Sequence, residues 1–170
     1  AKLADGFLDE VRRRFAGTRK GRQELDGVLL DDAEGALWTT LMIEAARGEA
    51  MPALGRIVVA VDPPVSATKK SDACGIVVAG VVMEGPPQDW QAWVIEDVTV
   101  QGVSPTEWAR VAIAAMERHG ADRLVAEVNQ GGALVENLVR QINPLVPCRA
   151  VRAMQGKVLR AEPVAALYEQ

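Results

Sequence analysis

Two aspartates, Asp62 and Asp72, are the residues whose type and spacing most invite chemistry. Asp62 ends the apolar run 57–61, and Pro63 and Pro64 behind it forbid the strand from continuing. A polar loop carrying Lys69, Lys70 and Ser71 leads to Asp72, which precedes a second apolar run, Gly75 to Val82. The pattern predicts a β-hairpin with a long loop, in which Asp72 starts at the end where Asp62 stops. Two carboxylates so placed repel by roughly 1 kcal/mol in water and about 4 at an intermediate dielectric. A divalent cation turns that repulsion into attraction, and Asp oxygens suit magnesium or manganese. The same residues also fit an ordinary loop with two solvated acids.

The elements that must position these acids follow from Arg56 onward, where the chain reads strand, strand, strand, helix, strand, helix, strand, helix. The third strand is expected from Trp90 to Val98, after the Gly85-Pro86-Pro87 turn. Ser104-Pro105-Thr106-Glu107 is a capping box with proline at the first helical position. The helix it opens should bury Trp108, Val111, Ala112 and Ala115 and stop at Gly120, with His119 complementing the helix dipole in the last turn. Strand four runs over 123–126 and ends in Glu127. Gly131-Gly132 starts a helix on Leu134, Leu138 and Ile142, and strand five spans roughly 147–151. A last helix begins between Lys157 and Ala161.

A strand–helix–strand connection within one sheet makes a parallel crossover. With strand four parallel beside strand one, Glu127 reaches the edge that holds Asp62. The fold class is therefore α/β, a mixed five-stranded sheet in the order 3-2-1-4-5 with strand two antiparallel. Asp62, Asp72 and Glu127 are expected to meet at one end of it. Strand three lies two places from strand one, so Asp97 and Glu96 are expected to face solvent.

Bulk properties narrow the classes. A chain of 170 residues is one full domain, or one with a short appendage. Its 49% hydrophobic content supplies a core that must be mostly aliphatic, since aromatic residues make up 4%. A formal charge of −4 argues against coating nucleic acid by charge alone but not against gripping it locally. The local candidate is the acid-free stretch from Arg140 to Ala161, with Arg149, Arg152, Lys157 and Arg160, joined by the Lys69-Lys70 loop. Cys74 and Cys148 lie in apolar strand-like runs and read as buried small hydrophobes. One histidine and no cysteine cluster argue against zinc sites and histidine-based triads. No apolar run approaches the roughly 18 residues that suggest a membrane span.

Residues 1–55 differ in character: short helices, the first on Phe7, Leu8, Val11 and Phe15, then the acidic turn Asp31-Asp32-Ala33-Glu34-Gly35 and a helix from about Thr40 to Arg47. They read as a connector preceding a domain over 56–170. The chain has no initiating Met and stops inside a helical pattern at Tyr168-Glu169-Gln170, as part of a longer protein would.

The succession DPPVSATKKSDACGIVVAG, VAEVNQGGALVENLVRQ and QGKVLRAEPVAALYEQ resembles the nuclease domain of tailed-phage terminase large subunits, the DNA-packaging motor proteins. The upstream GRQELDGVLLDDAEGALW resembles the segment joining their ATPase domain to it. The resemblance implies a ribonuclease H-like fold that cuts double-stranded DNA with two divalent ions, Mg²⁺ or Mn²⁺. It implies that Asp62 bridges the ions, that Glu127 is a further ligand, and that Asp72 is the acid opening strand two. Lys69, Lys70, Arg152, Lys157 and Arg160 become the expected DNA contacts. Implied partners are the ATPase domain of the same polypeptide, the portal and the small terminase subunit, in the cytoplasm of a bacterial host. The family pattern also has a third essential Asp beyond the last helix, so cleavage by these residues alone is expected to be poor.

Three rivals fit parts of the pattern. An actin-like or sugar-kinase ATPase needs glycine two residues past the first Asp, where Pro64 stands. A Holliday-junction resolvase or integrase-type nuclease shares the fold and the chemistry. A non-catalytic docking module of the packaging motor would leave the acids idle. ATP turnover would mark the first, a preference for branched DNA the second, and metal-independent binding without cleavage the third.

Overall fold

A computed structural model describes residues 36–48, 50–64, 72–128 and 132–168. The expected helices before residue 36, the Lys69-Lys70 loop and Asn129–Gly131 lie outside the described residues. In chain order the elements are α1 (Thr40–Ala45), β1 (Arg56–Asp62), β2 (Gly75–Val82), β3 (Gln91–Asp97), α2 (Pro105–His119), β4 (Arg123–Glu127), α3 (Gly132–Ile142), β5 (Cys148–Val151) and α4 (Lys157–Leu167). A single turn of 3₁₀ helix, Pro87–Asp89, precedes β3. No helix among the described residues is long and apolar enough to cross a membrane.

The chain divides into two compact units, residues 49–155 and residues 1–48 with 156–170. In the second, Thr39 Oγ1 caps α1 by accepting from the Met42 N–H. The rings of Trp38 and Tyr168 meet edge to face there, 6.0 Å between centroids. Pro163 lies inside α4.

Residues 49–155 hold the sheet, in the order β3-β2-β1-β4-β5. β1 pairs antiparallel with β2 and parallel with β4, β4 pairs parallel with β5, and β2 pairs antiparallel with β3. This is the mixed arrangement the sequence predicts. Alternation along the strands sorts the side chains. Val59, Val61, Ile76, Val78, Leu124 and Ala126 are buried in one cluster with Trp108, Ala112 and Ile113 of α2 and Val135 and Val139 of α3. Ala60, Asp62, Val77, Val125 and Glu127 fall on the opposite face and are less buried.

The local signals behave as physical chemistry dictates. Ser104 Oγ accepts from the Glu107 N–H, and the Glu107 carboxylate accepts from the Ser104 N–H at 2.7 Å. That reciprocal pair holds the Glu107 carboxyl below its ordinary range. Gly120 ends α2 in the left-handed conformation, at φ 58°. One helix face differs from expectation. Leu134 is 74% exposed, and α3 buries Val135 and Val139 instead, with Leu138 and Ile142 partly covered.

Glu96 also departs from the solvated role expected of it. The β2–β3 register shifts at Val78/Ala79, so that Val78 stands opposite Glu96 while Ala79 stands opposite Val94. This bulge gives β3 an extra residue, Ile95, and turns Glu96 onto the face that Val78 shares with the helices. There Glu96 Oε2 accepts from Arg118 Nη2 at 2.6 Å and lies 2.7 Å from His119 Nε2. Arg118, then His119, hold the Glu96 carboxyl below its ordinary 4.5. A carboxyl depressed by folding stabilises the protein above its unfolded-state value, and the contribution fades as pH falls through the lowered one. In urea titrations across pH, Glu96→Gln should therefore be less stable than the parent at neutral pH and indistinguishable from it in acid.

Gly80 shows the packing limit of the same sheet. A Cβ there would stand 2.6 Å from Leu54 Cδ1 and 3.3 Å from both the Arg56 carbonyl oxygen and Ile95 Cδ1. Leu54 can turn aside, but the Arg56 carbonyl cannot. Gly80→Ala should cost about 1–3 kcal/mol in urea denaturation, as overpacking does.

Candidate metal centre

β1 and β4 run parallel with Val61 opposite Ala126, so Asp62 and Glu127 are the next residues along neighbouring strands. Both follow a buried residue, Val61 and Ala126, and so both project from the face away from the helices. On that face they line one open hollow of about 250 Å³, with Gly75 and the apolar Ala60, Val77, Val125 and Val151. Register explains the other walls: Gly75 stands opposite Asp62 on β2, and Val151 stands opposite Glu127 on β5. Four adjacent strands thus end in a row of which the two central members are acids.

Asp72 is placed differently. It is exposed, two residues ahead of Cys74, whose N–H and carbonyl exchange hydrogen bonds of 2.8 and 3.1 Å with Val100. That bridge anchors the start of β2 but leaves Asp72 off the wall of the hollow. Among the described residues, no group of three or more His, Cys, Asp and Glu stands together to hold a metal. The two acids of the hollow nevertheless fit a hard divalent cation, which takes carboxylate oxygens and completes its shell with water.

None of the other described candidates lines the hollow. Asp97 Oδ1 accepts from the Thr99 N–H at 2.9 Å, an Asx turn at the end of β3. Glu136 lies on α3, where Oε1 accepts from the Ala150 N–H at 3.3 Å. Arg140, expected in the basic stretch, donates to Glu136 at 3.4 Å. Arg152 is exposed just beyond β5, while Lys157 and Arg160 lie on α4 in the other unit. Cys74 is buried, and its thiol is pushed up to about 12, first by burial and then by the Asp62 carboxylate. It is a core residue, neither nucleophile nor ligand at neutral pH. Sequence reasoning missed Gly75 and the Glu96–Arg118–His119 cluster. Gly75 depended on the β1–β2 register that sets it opposite Asp62, and the cluster depended on a bulge without a glycine to mark it.

The family model for the terminase RNase H-like domain matches residues 59–170, which include the end of β1, all of β2 and β4, and both acids of the hollow. The chain belongs to that family. Membership and sheet order agree on the ribonuclease H fold, and with it on a nuclease domain of the terminase type. No curated protein matches the chain. Among solved structures, Thermus thermophilus RuvC is similar at 17% identity and TM-score 0.42, over 58% of this chain and 62% of that one. RuvC from the same organism in complex with a Holliday junction substrate gives 18% identity and TM-score 0.39, over 66% and 75%. The Fowlpox virus resolvase in complex with Holliday junction DNA gives 12% and 0.35, over 65% and 70%.

Proposed function

We propose that this terminase-family domain is a divalent-metal-dependent endonuclease that cuts double-stranded DNA during viral genome packaging. The observation that carries the reading is the parallel β1–β4 register, with Val61 opposite Ala126, which brings Asp62 and Glu127 to one hollow. Asp62, on the central strand, is the principal ligand, and Glu127 completes a carboxylate pair for Mg²⁺ or Mn²⁺. When bound, such ions activate water and stabilise the leaving oxygen of a phosphodiester. The chain's own part is to hold the two carboxylates on strand ends, beside an apolar wall of Ala60, Val77, Val125 and Val151. Asp72, ahead of β2, is a candidate ligand for a second ion.

Arg152, Lys157 and Arg160, with Lys69 and Lys70, are proposed to follow the DNA backbone, a role that positions DNA without reading its sequence. Residues 1–55 are proposed as the connector from an ATPase domain and 56–170 as the nuclease part. The portal and the small terminase subunit are the proposed partners, in the cytoplasm of an infected or lysogenic bacterium.

Incubating the chain with supercoiled plasmid and Mn²⁺ tests the reading. Mn²⁺ uptake with at most slow nicking, which EDTA abolishes, is the expected result. Metal-independent DNA binding without Mn²⁺ uptake would instead make the domain a docking module. Cleavage confined to four-way junctions would make it a resolvase.

A further inference from the structure

Strand β2 carries two glycines with opposite surroundings. Gly80 is enclosed, and a Cβ there would press on Leu54 and on the Arg56 carbonyl. At Gly75 the contact a Cβ would make among the described residues is with the Asp62 Cβ, at an ordinary 3.7 Å. The described glycines with positive φ are Gly85, Gly102 and Gly120, so the backbone at 75 suits any residue. Among the described residues neither packing nor conformation requires glycine at 75, and within a strand glycine is less stable than alanine. A strand glycine often marks a bulge, a tight bend or a close approach by a ligand or another backbone, and the β1–β2 register is regular at 75.

Its position says which approach. Gly75 lies directly opposite Asp62, and directly opposed residues of an antiparallel pair project from the same face. It is also part of the wall of the hollow that holds Asp62 and Glu127. Any side chain at 75 would therefore enter that hollow on the β2 flank of Asp62. An alanine methyl would stop at the Asp62 Cβ, whereas the branches of valine would reach further into the space. The opposite flank of Asp62 is taken by Glu127, and among the described residues the β2 flank is lined by Gly75 and Val77.

We propose that Gly75 is a positioning residue, whose missing side chain leaves room for a phosphodiester group of a nucleic acid backbone beside Asp62. The proposal rests on the metal reading of the same hollow. It predicts an unusual combination, a substitution that keeps or raises stability and yet impairs ligand binding.

The test compares the full 170-residue chain with Gly75→Ala, Gly75→Val, Gly80→Ala and Asp62→Asn. Three quantities are read: the thermal midpoint, Mn²⁺ affinity by calorimetry, and the affinity for a duplex oligonucleotide with Ca²⁺ as the ion. Gly75→Val should melt at or above the parent and bind Mn²⁺ as the parent does. Its ion-dependent DNA affinity should fall at least about tenfold, as expected for one lost charge-assisted contact. Gly75→Ala should show a smaller loss, and Gly80→Ala should melt lower. The proposal is overturned if Gly75→Val binds DNA as the parent does, or if its midpoint drops as that of Gly80→Ala does. Loss of Mn²⁺ affinity in Gly75→Val also overturns it, since the space would then belong to the ion. If the parent takes up no Mn²⁺, or Asp62→Asn takes up as much, the metal reading itself fails and the proposal falls with it.

Discussion

Asp62→Asn should lower Mn²⁺ affinity, and any Mn²⁺-dependent cleavage, by at least about a hundredfold, since even outer groups that support a metal ligand can cost that much. Asp97→Asn should leave both close to the parent. Asparagine keeps the shape of aspartate but removes the negative charge that an oxygen-seeking cation requires. At 62 that charge lies in the hollow beside Glu127, on a rigid strand end flanked by two paired neighbours. At 97 the side chain accepts the Thr99 N–H, a bond that the asparagine oxygen makes equally well. β3 is also separated from β1 by β2. Calorimetric Mn²⁺ titration of both variants distinguishes the roles even where cleavage is too slow to follow. Equal affinities at 62 and 97 would remove Asp62 from the centre.

The second large effect is on stability. Leu124 is fully buried on β4, between β1 and β5 and within the cluster shared with α2 and α3. Leu124→Ala removes three methyl(ene) carbons from a site where strands on both sides limit collapse. The expected loss is about 3 kcal/mol, within the range measured for buried leucines. In urea the midpoint should fall with the slope unchanged, which marks a change of stability rather than of unfolded-state compactness. The same strand carries Glu127, so Mn²⁺ affinity measured well below the unfolding transition shows whether β4 still holds its acid in place. A loss below about 1 kcal/mol would contradict the central position of β4, because surface substitutions have effects of that size.

Much of this molecule is legible in its sequence because its signals are local. Pro63 and Pro64 must end β1 at Asp62, whatever surrounds them. The Ser104–Glu107 capping box and Gly120 fix both ends of α2 through bonds made within a few residues. Apolar runs broken by turns mark the strands, and the helix between β3 and β4 makes a parallel return the natural path. From these follow the sheet order and the placing of Asp62 and Glu127 on neighbouring strand ends.

What the tertiary structure decided depends on pairing between distant segments. The bulge opposite Val78 turned Glu96 toward Arg118 and His119, and nothing within β3 announces which residue is the extra one. The buried face of α3 moved from Leu134 to Val135 and Val139, because the helix is rotated by what it packs against rather than by its own periodicity. Asp72 has the right type and lies near the right end, yet the Cys74–Val100 bridge sets where β2 begins and leaves Asp72 exposed ahead of it. Gly75 acquired meaning only from its partner across the ladder. In sequence Gly75 is one glycine of an apolar run, but a glycine opposite an acid, where among the described residues a side chain would fit, follows only from the register.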